Sequence, residues 1–307
     1  MIRQFKHRET TWIDVLSPSK EELASLAKQY NLHSLVENEL SAPSSRAHSD
    51  LYENYIYLVM HFPCCNFCIG QDKGGNDQEI DFIVGRDFVI TIHYEPIQVL
   101  EEFSQIFEAN LLSEEPKKKS QAGQLFFHIT LALYKSLDDG LAMINTELRK
   151  AEKEIFNGKE KEMVVVLSKI NHELLDYTWS LKNHAHILSS FENASEVMFG
   201  SDYRHFSRKI TATYHRIYST LENLKEMFED LQTTNDSLLS IKTNEIMKIL
   251  TIMAFITFPL TVFTSTFGMN TIHNPILGMP FDFWIIIAIM LGAVASMFIF
   301  FRHKGWL

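Results

Sequence analysis

Seven side chains recur on one face of a single apolar segment: Asn244, Met247, Leu250, Ala254, Phe258, Thr261 and Ser265. A helix advances about 100° per residue, so the residues after Asn244 fall within a wedge of about 80°. The stripe begins with an amide and ends with two hydroxyls one turn apart, joined by apolar side chains. That pattern breaks no bonds; it is suited to passing a solute that carries its own water. Just beyond it stands Gly268-Met269-Asn270, where Asn270 offers a neutral carbonyl oxygen. Glycine at a helix end permits a left-handed turn without steric cost. Two plainer readings stay open: Thr261 and Ser265 bonded back to their own helix, and Gly-x-Asn as an ordinary helix cap.

The elements that must position these residues are two apolar runs, Ile249 to Phe267 and Phe283 to Phe301. Each approaches the ~20 residues that a helix needs to cross ~30 Å of hydrocarbon. Between 246 and 301 the only formal charges are Lys248 and Asp282. One two-span chain cannot enclose a pore, so a conducting stripe requires several copies around an axis. Lys242, Lys248, Arg302, His303 and Lys304 flank the inner ends, whereas Thr271 to Pro280 carries no Lys or Arg. The positive-inside rule then places both termini in the cytoplasm. Met1 to Trp12 has no apolar signal core.

The preceding 245 residues read as a soluble domain. Thr10–Val15, Tyr55–His61, Ile80–Val84 and Phe88–His93 have the β-branched and aromatic content of strands. Ser17-Pro18-Ser19-Lys20-Glu21-Glu22 marks a helix start, with the helix running to about Tyr30. The expected order is an α+β domain over 1–122, a helical hairpin over 123–200 and a stalk helix over 201–245. A first span over 246–268, an outer loop over 269–280, a second span over 281–301 and a basic tail over 302–307 follow. Within the hairpin, Leu125–Asn157 and Lys161–Phe199 read as one helix each. No proline follows Gly200 until Pro259, so stalk and first span read as one helix; ~65 residues would extend ~100 Å.

Other chemistry is sparse. A net charge of −10 without a basic stripe speaks against a nucleic-acid partner and suits a surface that meets cations. No zinc-protease motif, nucleotide loop or nucleophile elbow is found, so no enzyme and no cofactor is expected. Cys64, Cys65 and Cys68 read as small residues beside a strand rather than a thiolate site. His172, His184, His186, His205 and His215 read mainly as solvated or interface residues.

Together these residues resemble the CorA family of magnesium channels. The resemblance rests on Thr243-Asn244-Glu245-Ile246-Met247-Lys248, Pro259-Leu260-Thr261, Gly268-Met269-Asn270 and Trp306-Leu307. Weaker support comes from Trp12-Ile13-Asp14, Leu32-His33, Arg46 and Tyr52-Glu53-Asn54-Tyr55. It implies a funnel-shaped homopentamer with an αβα N-terminal region, in a bacterial or archaeal cytoplasmic membrane. Its first spans would surround the pore and its second spans would face lipid. By the same resemblance Asn270 forms a ring that selects the ion through ion-bound water, shaped by Gly268 and Met269. Met247 and Leu250 form a hydrophobic gate, and Mg²⁺ is both cargo and regulator. Mg²⁺ sheds water reluctantly, which fits an uncharged amide ring.

Three departures follow. The outer loop lacks Asp and Glu, and the tail is less basic than a lysine cluster. Where the family places two carboxylates between subunits, the positions fall on Glu39 and Lys209. A charged lysine cannot ligate Mg²⁺, so a direct intersubunit pair between Glu39 and Lys209 is expected. A ZntB-like zinc transporter and a non-conducting membrane-anchored sensor are the alternatives; Met269 favours magnesium over the first.

Overall fold

The computed structural model describes residues 1–7, 10–44, 46–64, 77–108, 121–269, 276 and 281–306. Their packing separates two units, Met1–Gln232 and Thr233–Leu307.

The first unit is built on a six-stranded sheet in the order β1-β2-β6-β5-β4-β3. The strands are β1 (Ile2–His7), β2 (Thr10–Leu16), β3 (His48–Leu51), β4 (Tyr55–Phe62), β5 (Gln78–Gly85) and β6 (Phe88–His93). Only the β2–β6 pair is parallel. Nearly every residue of β4, β5 and β6 is buried, polar ones included. Strands covered on both faces read as continuous apolar runs, which is why these three are legible in the sequence. β1 and β3 lie at the edges and lack that signal.

One face is covered by α1 (Lys20–Tyr30) and α2 (Ser34–Glu39). There Leu23, Leu26, Val36 and Leu40 pack with Ile13, Tyr57 and Ile90 of the sheet. Ser19 caps α1: its hydroxyl accepts from Glu22 N while the Glu22 carboxylate accepts from Ser19 N, a reciprocal capping box. The other face is covered by α3 (Gln98–Glu108), α4 (Gln121–Phe156), α5 (Glu160–Leu181) and α6 (His184–Phe199). Trp12, fully buried, meets Phe103 and Phe107 of α3 edge-on at 5.5 and 5.7 Å. The αβα arrangement expected from the resemblance is therefore present.

The helical hairpin differs from expectation. Lys161–Phe199 is two helices, broken at Lys182 and Asn183. The break lets α6 pack on β3 and β4 and carries His184 inward to donate to the His61 carbonyl at 2.9 Å. After a 3-10 turn at Ser201–Tyr203, α7 runs unbroken from Arg204 to Phe267, 64 residues. Thr233-Thr234-Asn235-Asp236 does not interrupt it.

In the second unit α8 (Asp282–His303) follows α7, and both are long and apolar enough to cross a membrane. Over 246–267 and 282–303 the apolar residues stay exposed or half-exposed for the most part, the reverse of a soluble core.

Candidate functional site

All seven stripe residues of α7 are exposed. Met247 is 56 %, Leu250 54 % and Phe258 71 % exposed, though each is strongly apolar. The covered side of the same helix is Ile252, buried, with Ile256, Pro259, Leu260, Phe263 and Phe267 half-buried. At about 100° per residue, the centre of this covered set lies about 170° from the centre of the stripe. Thr251 is the one half-covered residue of 251–267 on the stripe side. The chain thus covers one flank of its first span and leaves the opposite flank bare.

What meets α7 around Lys248 and Phe255 is the end of α8 and the tail. Phe301, 5 % exposed, contacts Phe255 edge-on at 6.3 Å and stacks on Trp306 at 5.9 Å. Lys248 Nζ donates to the Gly305 carbonyl at 3.5 Å. Trp306 is therefore part of the packing between span and tail, a role its terminal position does not reveal.

Thr261 donates its hydroxyl hydrogen to the Thr257 carbonyl at 2.9 Å, and Thr257 and Thr266 bond back likewise. The plainer reading of the Thr261 hydroxyl hydrogen is correct. Its oxygen keeps lone pairs that can accept from ion-bound water. Pro259 sits inside the helix and supplies no N–H to the Phe255 carbonyl one turn back. Gly268 closes the helix, its N–H bonded to the Thr264 carbonyl at 2.8 Å. It does not use the left-handed turn that glycine permits; among the described glycines, Gly158, Gly200 and Gly305 have positive φ. A Cβ at this position would stand 3.1 Å from the Thr264 carbonyl oxygen, a tight contact. Met269 is exposed, and Asn270 lies outside the described residues.

In the first unit the expected regulatory residues occupy exposed positions. Glu39 ends α2, its carboxylate 3.3 Å from His48 Nε2. Lys209 Nζ lies 5.6 Å from the centre of the Phe127 ring, within cation–π range. His172, His186, His205 and His215 are exposed. His184 is fully buried; its Nε2 faces the His61 carbonyl, so Nδ1 accepts from the Tyr134 hydroxyl at 2.9 Å. Burial pushes His184 down to about 4, so the neutral ring stays fixed in place. Among the described residues no three His, Cys, Asp or Glu gather as metal ligands. Cys64 is half-buried after β4, while Cys65 and Cys68 lie outside the described residues.

The resemblance residue Asp14 has a structural task. It accepts from Arg3 at 2.7 Å, Thr91 at 2.7 Å and His93 at 3.2 Å, and Thr91 in turn accepts from Trp12. Burial alone would raise its pKa, but the bonds from His93, Thr91 and Arg3 prevail and hold it below the usual carboxylate range. Sequence reading left Asp81 of β5 unremarked, although a carboxylate inside Ile80-Asp81-Phe82-Ile83-Val84 is a signal that could have been used.

Comparisons with known proteins cover nearly the whole chain. The model of the family described as CorA-like Mg²⁺ transporter protein matches residues 7–303. The cobalt/magnesium transport protein CorA of Thermotoga maritima is 23 % identical over 301 residues, 97 % of this chain and 83 % of that protein. The complete structure of the CorA magnesium transporter from Methanocaldococcus jannaschii superposes with a TM-score of 0.82 at 20 % identity, covering 99 % of this chain and 93 % of that one. The cytoplasmic domain of ZntB from Vibrio parahaemolyticus gives 0.53 at 12 % identity, covering 76 % of this chain and 89 % of that domain.

Proposed function

The chain belongs to the CorA-like Mg²⁺ transporter protein family, and from that premise we propose that it conducts hydrated Mg²⁺ along the α7 stripe. The observation that carries this reading is the bare flank of α7 opposite its covered flank. A lone chain in lipid would have no use for Asn244, Thr261 and Ser265 on the side it leaves open. Several copies around an axis, as a homopentamer, give that side a water-filled lumen. Asn270 would ring the outer mouth and bond the ion's water, leaving the inner hydration shell intact. Met247 and Leu250 would close the lumen by excluding water when the copies approach. Moving two charges down ~100 mV supplies roughly 4.6 kcal/mol, enough for uptake into the cytoplasm without another energy source.

Glu39 and Lys209 would meet across the subunit boundary, giving an ion pair where a carboxylate pair would bind Mg²⁺. Both are exposed, which leaves them accessible to a neighbouring copy. Cytoplasmic Mg²⁺ then closes this channel weakly; strong closure that Lys209→Ala leaves unchanged overturns the pairing.

The principal test is rescue of a bacterial strain that lacks Mg²⁺ uptake. Rescue by the wild-type chain and failure by Asn270→Ala is the expected result. No rescue, with proton-coupled Zn²⁺ uptake in vesicles, would overturn it in favour of a zinc transporter. A monomer in mild detergent would overturn the pore itself.

A further inference from the structure

Beneath α1 and α2, β5 presents Glu79 and Asp81 on one face, two residues apart. Asp81 is 1 % exposed, and its carboxyl meets two hydroxyls. Tyr57 donates to Oδ1 at 3.1 Å, and the Tyr94 oxygen lies 3.2 Å from Oδ2. The same Tyr94 oxygen lies 3.2 Å from the carbonyl of Leu40, the residue that caps the end of α2. A tyrosine has one hydroxyl hydrogen, and a carbonyl can only accept. One hydrogen shared between Leu40 and Asp81 gives two weakened bonds, each long at 3.2 Å for a hydroxyl donor. Each contact has a hydrogen of its own when the second comes from Asp81.

We infer that Asp81 carries a proton and donates it from Oδ2 to Tyr94, so that Tyr94 donates to Leu40 and latches the end of α2 to the sheet. When Asp81 loses that proton, Tyr94 turns its hydrogen to the carboxylate and the Leu40 carbonyl is released. This proton site lies within the first unit, and it does not depend on what the stripe conducts. Its output is the position of α2, whose last residue is Glu39.

The surroundings agree. Burial, and next the charge of Glu79, push Asp81 up to about 8. The chain after α2 is held at a second point by the same sheet face. Ser44 N donates to Glu79 Oε2 at 2.6 Å, and His61 Nε2 donates to the Ser44 carbonyl at 2.8 Å. His61 stands opposite Glu79 in the β4–β5 register, 3.5 Å from Oε2, and that bond raises its pKa. Glu79 Oε1 is buried with no hydrogen-bond partner. Tyr57, Tyr94 and the neighbouring His61 act on Asp81 in the opposite direction, but burial and Glu79 outweigh them. Asp77 also acts on His61, and Glu39 acts on Tyr57 from α2. His48 lies edge-on to Tyr57 at 5.4 Å. Because the folded value is raised, the proton's contribution is full below the ordinary carboxyl range and is lost as pH rises toward about 8.

Hydrogen exchange on the full chain in detergent tests the latch, read on peptides spanning 36–44 and corrected for base catalysis. Between about pH 6 and about pH 9 the wild type should lose roughly fivefold protection, the size of one hydrogen bond. In Asp81→Asn the amide donates to Tyr94 at every pH, so protection should stay high and flat. Tyr94→Phe removes the relay and should be low at both ends. A flat wild-type profile, or the same fall in Asp81→Asn, overturns the inference. Should the variants fail to fold, the infrared carbonyl band of a buried protonated acid decides on the wild type alone. Its presence at about pH 6 and loss by about pH 9 supports the latch, and its absence at about pH 6 overturns it.

Discussion

The two units treat their polar groups in opposite ways. In the first unit Asp14 gathers Arg3, Thr91 and His93, and His184 is satisfied by Tyr134 and His61. In the second, Asn244, Thr261 and Ser265 share a bare flank with exposed Met247, Leu250 and Phe258. A buried polar group without a partner costs free energy wherever it sits, in protein or in lipid. The first unit avoids that cost within one chain. The second meets part of it by bonding Thr261 back to the Thr257 carbonyl, and leaves the flank itself uncovered within one chain. The comparison separates side chains that hold the fold from side chains that await an assembly.

The largest effect should come from the bare flank. A tryptophan at Ser265 should abolish Mg²⁺ flux into vesicles, while one at exposed Phe283 of α8 should leave it near wild type. Equal losses at both positions would erase the distinction between the flank and the remaining apolar surface. Next in size is the buried counterpart. His184→Ala leaves the Tyr134 hydroxyl and the His61 carbonyl unpaired beside a cavity, so thermal unfolding in detergent should show a loss of about 3–5 kcal/mol.

Acid should reach the same site without mutation. His184 is held down to about 4 from an ordinary 6.5, so the folded state takes up its proton later than the unfolded chain. Its contribution is full above about pH 6.5 and is lost as pH falls toward about 4, an effect of about 3 kcal/mol. An unfolding midpoint with the same acid dependence in His184→Ala would remove His184 from this account. The smallest effect tests an exposed pair at the edge of the first unit. Ser19→Ala breaks the capping box of α1 and should cost about 1 kcal/mol, measurable in the same melts.

How much was legible depended on how local the cause was. Ser19 and Glu22 announce α1 because a cap is read three residues apart. β4, β5 and β6 announce themselves because burial on both faces leaves unbroken apolar runs. The break at Lys182 and Asn183 does not, since α6 turns there to reach a sheet more than 100 residues earlier in the chain. Gly268 was legible as a helix end, but not the form of that end: it carries no left-handed turn, and a Cβ there would crowd the Thr264 carbonyl oxygen. Asn270, central to the proposed mouth, lies outside the described residues.

The sequence by itself determined the two apolar spans, the stripe on the first, the strands of the sheet centre and the family resemblance. Each of these is a matter of period, composition or short motifs, which the linear order preserves. Only the tertiary structure decided which flank of α7 is covered, why Asp14 stays charged and why Asp81 keeps a proton. Those outcomes are set by which donors and acceptors meet. Tyr57, Asp81, Tyr94 and Leu40 come together only when the sheet and α2 have packed, and a shared hydrogen then has to be allotted among them.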